Sequence, residues 1–194
     1  NEHIYIFSAI AVKKIILNYN LELFDIEKLS THGGSLRYYI KKINNKNINI
    51  KNSVSKQIND EIKFGLNRYS TYRMFGENVK KSKINLINIF KNLKNNNHKI
   101  IGYGATAKAT TVLNYCNIGD GIIDYFVDTT PDKINRFMPG TKIKIKKYNQ
   151  KLLDNVNYIY LGAWNFKDEI FKKEKKFIKS GGKFITHVPF PKII

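Results

Sequence analysis

The sequence predicts an α/β fold in which a parallel sheet carries helices on both faces. Three observations predict it. The run Ile100-Ile-Gly-Tyr-Gly-Ala-Thr-Ala-Lys108 takes a short apolar stretch into two glycines and then into helix-forming residues, the pattern of a buried strand turning tightly into a helix. Beyond Thr111, strand-like and helix-like segments alternate, as they must where each parallel strand needs a crossover. The 194 residues are 42% hydrophobic and 13% aromatic, enough to bury a real core.

Each element follows from its residues. Residues 4–20 place Phe7, Ile10, Ala11, Ile15 and Leu17 at helical spacing, closed by Asn18-Tyr-Asn20. Residues 21–29 then alternate, with Leu21, Leu23 and Ile26 facing inward, and residues 35–41 form a second strand after His32-Gly-Gly34. One helix and two strands cannot bury a sheet unaided, so this piece is expected to need partners that precede Asn1 or come from another chain. Residues 43–55, rich in Asn and Lys, read as a linker. Helices are predicted over 54–72 (Ile58, Ile62, Leu66, Tyr69) and 76–95 (Ile84, Ile87, Phe90, Leu93). After the glycine turn and its helix come a strand over 121–128, a turn over 129–133 and a strand over 156–161. A basic amphipathic helix over 166–179 and a strand over 182–188 close the chain.

Charge and cysteine content narrow the function. The formal charge is +19, yet 30 of the 34 basic residues are lysine, spread along the whole chain. Base reading and bidentate phosphate grips favour arginine, and only Arg37, Arg68, Arg73 and Arg136 are present. No nucleic-acid partner is expected; the charge instead attracts small anions. The single cysteine, Cys116, cannot form a disulfide within the chain or a cysteine-rich zinc site, and lies on an apolar helix face. No run of about eighteen apolar residues is present, so no membrane span is expected.

The glycine turn carries the chemistry. A strand that ends in Gly102-Tyr-Gly104 and opens a helix aims backbone N–H groups and the positive end of the helix dipole at an anion such as a phosphate. The third glycine of the full dinucleotide fingerprint is absent, and no Gly-Lys-Ser/Thr closes a P-loop. Asp128 stands where an acidic residue holds a ribose in Rossmann-type folds, and equally where Thr129-Thr-Pro needs a turn former. Lys108 is either a diphosphate partner or one more solvated lysine. Trp164-Asn165 either lines a pocket or packs as core.

Taken together, the motifs resemble the S-adenosylmethionine-dependent C-methyltransferases that act on nucleotide-linked deoxysugars. The matching blocks are Glu2-His3, Thr31-His-Gly-Gly-Ser-Leu-Arg37, Gly102-Tyr-Gly-Ala-Thr-Ala-Lys108, Val127-Asp-Thr-Thr-Pro-Asp-Lys133, Pro139-Gly-Thr-Lys-Ile143, Ala163-Trp-Asn-Phe-Lys-Asp-Glu-Ile170 and Gly181-Gly-Lys-Phe184. They fall in the family's order and cover nearly the whole chain. The resemblance implies a three-part enzyme with an N-terminal zinc-binding portion, a central S-adenosylmethionine-binding domain and a C-terminal Rossmann-like domain. Residues 1–42 are then the end of a truncated methyltransferase domain, its closing helix and strand pair. Residues 43–55 are a linker, and 56–194 are the Rossmann-like domain. The zinc cysteines and the glycine-rich cofactor loop would lie upstream, in cis or in trans, so this chain holds no metal site and is expected to be inactive alone.

The same resemblance assigns roles. Methylating a sugar carbon next to a ketone requires removal of its C–H proton to give an enolate. His3 would be the base and Glu2 would orient it or relay the proton. Without the resemblance, the pair is a helix-entry pair at a terminus. His32 and Arg37 would contact the substrate around the Gly-Gly turn, or form a structural hairpin with Arg37 on its surface. Gly102, Gly104, Lys108, Asp128, Trp164 and Asn165 would hold the nucleotide-sugar. The protein is expected to be cytoplasmic. The competing reading is a non-catalytic nucleotide-sugar-binding module from a split or degenerate gene.

Overall fold

A computed structural model describes residues 5–31 and 34–194. The chain divides into two compact units, residues 1–77 and 78–194.

In the first unit, helix α1 (Ala9–Leu17) precedes an antiparallel pair, β1 (Leu21–Leu29) and β2 (Ser35–Lys42), and helix α2 (Asn52–Phe64) follows. Ser8 caps α1 through its side chain, and the buried Glu61 of α2 accepts from the Ala9 and Ile10 N–H groups at 2.8 and 2.9 Å. Two carboxylate oxygens thus satisfy donors that every helix start leaves open. The core is Ala9, Leu23, Ile26 and Val54. Phe7, Ile15 and Leu17, expected to face inward, are exposed; α1 buries Ala9 and leans on Val12 and Ile16 instead. Leu23 and Ile26 share a face although three residues apart, because the ladder shifts register between Leu23 and Asp25. One extra residue at a bulge restores the inward phase. Residues 43–51 are turns tied to the hairpin: Lys41 Nζ donates to the carbonyls of Asn45 and Ile48, and the Lys51 N–H to Phe24.

Helix α2 stops at Gly65, whose φ of 93° ends it in the left-handed region. Helix α3 (Tyr69–Asn95) is therefore one 27-residue element beginning earlier than the apolar spacing predicted. Its buried stripe is Leu86, Phe90 and Leu93, while Ile84 is exposed.

The second unit holds a six-stranded sheet in the order β5-β4-β3-β6-β7-β8. Its strands are β3 (Ile100–Tyr103), β4 (Phe126–Asp128), β5 (Ile145–Lys147), β6 (Tyr158–Leu161), β7 (Lys183–Thr186) and β8 (Lys192–Ile193). All pairings are parallel except β7 with β8. The fold is α/β and Rossmann-like. Alternation along the strands separates two cores. Ile100, Phe126 and Tyr160 pack with α3 and with α4 (Ala107–Cys116), where Cys116 is buried. Ile101, Val127, Ile159 and Leu161 pack on the other face with Ile170 of α5 (Lys167–Lys173) and Phe177 of α6 (Lys175–Lys179). Burial on both faces explains why these strands read as continuous apolar runs. The single basic helix predicted over 166–179 is two short helices broken at Glu174, and β5 and β8 were not anticipated. Residues 121–125, predicted as strand, are turn and coil. No helix of the described residues is long and apolar enough to cross a membrane.

Candidate functional site

Strand β3 is the first strand of the sheet and has β4 on one side and β6 on the other. The chain order reverses at this point, and a crevice opens beyond the carboxyl ends of strands at such a switch. Here it is a cavity of about 340 Å³. Tyr103 and Asp128, the last residues of β3 and β4, line it with Gly104 after β3, Thr130 and Lys133 after β4, and Ala163 and Phe166 after β6; Tyr148 and Lys173 complete the wall.

The glycines shape this turn by what they leave out. A Cβ on Gly102 would collide with the Phe126 ring, so the strand packs there only without a side chain. Gly104 has a φ of 80°, and a Cβ on it would lie 2.5 Å from that of Ala163. Thr106 then fastens the turn. Its hydroxyl donates to the Gly162 carbonyl at 2.9 Å and accepts from the Ala109 N–H at 3.1 Å, capping α4 and linking the loops after β3 and β6.

Asp128 is buried and fully engaged. One oxygen accepts from the Ala105 N–H at 2.7 Å and from Lys133 Nζ at 3.4 Å; the other accepts from the Thr130 N–H at 2.8 Å. Burial pushes its carboxyl pKa up, but the Thr130 and Ala105 donors and the Lys133 charge outweigh burial and hold it below its usual 3.8. The residue thus supplies from within the chain an anion to the glycine turn.

The opposite wall is aromatic. The Tyr103 and Tyr148 rings lie 5.7 Å apart, and both hydroxyls donate to Oε1 of the buried Glu174 at 2.8 Å. Burial, with the hydrogen bond to Glu174, raises the Tyr148 pKa to about 12 and that of Tyr103 further still. Lys173 stands over the Tyr148 ring, 3.4 Å from its centroid. Lys108 stands over Trp164 at 5.1 Å. Neither ammonium has a carboxylate partner within 4 Å among the described residues. Glu169 joins Asp128 as an acidic residue of the lining.

Of the residues singled out from sequence, Gly104 and Asp128 line the cavity and Gly102 lies just behind it. Lys108 and Trp164 stand beside the cavity, outside its lining, and Asn165 is exposed next to them. Arg37 belongs to the first unit, where it is exposed on β2 and pairs with Glu27 at 3.1 Å. Glu2, His3 and His32 lie outside the described residues. Sequence reasoning missed Tyr103, Lys133, Tyr148, Phe166, Lys173 and Glu174. Tyr103, Lys133 and Phe166 sit inside motifs already noted, so their position was a signal. Tyr148, Lys173 and Glu174 gave none, because a helix break and a distant loop bring them together. No group of three or more metal-ligating side chains occurs among the described residues.

A family model described as the C-methyltransferase C-terminal domain matches residues 30–189. C-methyltransferase NovU of Streptomyces niveus is 27% identical over 194 residues, all of this chain and 46% of that protein. The chain thus spans about half the length of the curated relative it matches.

Proposed function

The chain belongs to the C-methyltransferase C-terminal domain family, and from that premise we propose that it is the part of a sugar C-methyltransferase that holds a nucleotide-linked keto-deoxysugar. The observation that carries the reading is the crevice at the switch point, walled by two tyrosine rings and bordered by the ammonium groups of Lys173 and Lys108. Rings suit a nucleoside, and unpaired ammonium groups beside a helix N-terminus suit a diphosphate. Gly104 lets backbone approach the phosphates closely, Trp164 and Asn165 flank the entrance, and Asp128 keeps the turn in shape.

S-adenosylmethionine fits this crevice poorly. Its sulfonium would meet Lys133 and Lys173, and the carboxylate best placed for its ribose, Asp128, already accepts three donors. Its site, and any zinc site, belong in this reading to the N-terminal portion of the enzyme. The substrate chemistry asks for a base that removes the proton next to a ketone. The family resemblance puts His3 in that role with Glu2 beside it, and His32 and Arg37 on the substrate. The protein works in the cytoplasm without nucleic-acid or membrane partners.

Titrating the chain with UDP-glucose, TDP-glucose and GDP-mannose tests this, with the fluorescence of its only tryptophan, Trp164, as the signal. At least one is expected to bind with a Kd between about 1 μM and 1 mM, and Lys108→Met should weaken it. Binding of S-adenosylmethionine in preference to all three would overturn the reading.

A further inference from the structure

Glu174 lies at the break between α5 and α6 and is fully buried. Its Oε1 accepts from two phenols, and its Oε2 has no partner among the described residues. A buried carboxyl group with an unmet oxygen destabilises a fold, and an apolar side chain of similar size would pack there at less cost. Stability alone therefore gives no reason for an acid at this position.

The cavity wall gives one. Tyr103 and Tyr148 line the crevice while Glu174 does not, so the rings face the cavity and the hydroxyls are anchored behind it. Lys173 rests on that wall, 3.4 Å from the Tyr148 centroid and 5.9 Å from that of Tyr103. An ammonium is drawn to the electron-rich face of a ring, and a phenol that donates to a carboxyl group offers a richer face. Lysine is otherwise a flexible point charge with a high rotamer entropy.

Resting on the reading of the crevice as a nucleotide-sugar site, we propose that Glu174 is a positioning residue: through Tyr148 and Tyr103 it fixes the Lys173 ammonium over the aromatic wall, where it meets the ligand's diphosphate. Glu174 itself touches no ligand. Gln150 Oε1 also lies 2.8 Å from the Tyr148 hydroxyl; it is the alternative acceptor for that one proton, so replacing Glu174 leaves the phenol partnered but no longer held to the carboxyl group.

The test has one readout without ligand and one with it. In NMR spectra of the ligand-free chain, the ε-methylene protons of Lys173 are expected upfield of those of exposed lysines, under the Tyr148 ring current. Glu174→Leu should return them to the exposed-lysine position, and Tyr148→Phe should move them the same way; the latter carries the test if the former does not fold. Glu174→Leu should also weaken binding of the nucleoside diphosphate sugar by roughly tenfold in the native background. In a Lys173→Met background it should weaken binding by less than about twofold, because the two residues act in series. An unshifted Lys173 signal in the native chain, a signal indifferent to both variants, or equal losses in both backgrounds would overturn the proposal. If the signal responds as expected while none of the nucleotide sugars binds, the positioning of Lys173 stands and the ligand reading of the crevice fails.

Discussion

The crevice has two walls, each organised by a buried carboxyl group, and the two are organised in opposite ways. On the glycine-turn side both Asp128 oxygens are occupied by Ala105, Thr130 and Lys133. On the aromatic side Glu174 has one oxygen doubly engaged and the other without a partner among the described residues. A carboxylate whose donors are two backbone N–H groups, one beside it and one in the turn after β3, and a neighbouring lysine stabilises the loops it joins. One that is half satisfied spends stability to fix something else, here the orientation of two rings. On the function proposed above, the first wall is structural and the second is arranged for a ligand.

The largest effect should come from breaking the satisfied wall. Asp128→Ala leaves the buried Ala105 N–H, the part-buried Thr130 N–H and Lys133 without their acceptor and is expected to cost about 3–4 kcal/mol in denaturant unfolding. A loss below about 1 kcal/mol would mean that water replaces the carboxylate and that the wall is not structural.

A half-buried histidine just after β7 sharpens the contrast through pH. His187 is held 3.0 Å from the Tyr160 hydroxyl, and burial lowers its pKa from 6.5 to about 4. The folded state therefore binds fewer protons than the unfolded state between these values, so stability present above pH 6.5 is lost as the pH falls towards 4, by roughly 3 kcal/mol at most. Asp128, also lowered, adds its loss only below its usual 3.8. Unfolding free energies from pH 7 to 3 should show the first window before the second, and His187→Gln should flatten the first alone.

A smaller effect is expected on the aromatic wall. Glu174→Leu combined with Tyr103→Phe removes the orphaned acid and the phenol that depends on it, leaving Tyr148 with Gln150. The double variant should lie within about 1 kcal/mol of the native chain, or be more stable. A loss like that of Asp128→Ala would erase the distinction between the walls. The smallest effect belongs to the first unit: Arg37→Ala breaks an exposed pair with Glu27 and should leave the melting temperature unchanged.

The satisfied wall was legible in the sequence and the other was not. Gly102, Gly104 and Asp128 are read from local rules, since the glycines mark the tight turn that ends one strand and Asp128 with Thr129-Thr-Pro131 marks the turn that ends the next. The alternation that built the sheet was legible for the same reason. Helix faces were less so: Ala9 is buried and Phe7 is not, because α1 meets Val54 and Leu23 from elsewhere in the chain. The aromatic wall joins Tyr103, Tyr148 and Glu174, which are distant in sequence and met only through a helix break that hydrophobic periodicity ran straight across. Motif resemblance supplied Lys108 and Trp164 as neighbours of the site, yet not Lys173, one lysine among thirty.

The central claim is that the crevice between the two walls takes the nucleotide-sugar. Amide chemical shifts followed while UDP-glucose, TDP-glucose and GDP-mannose are titrated into the chain test it most directly. The account expects the tightest binder to move Gly104, Thr130, Ala163 and Lys173, residues that only the crevice brings together. Shifts centred instead on the cavity around Asn155 and Asn157, or none with any of the three sugars, would contradict it.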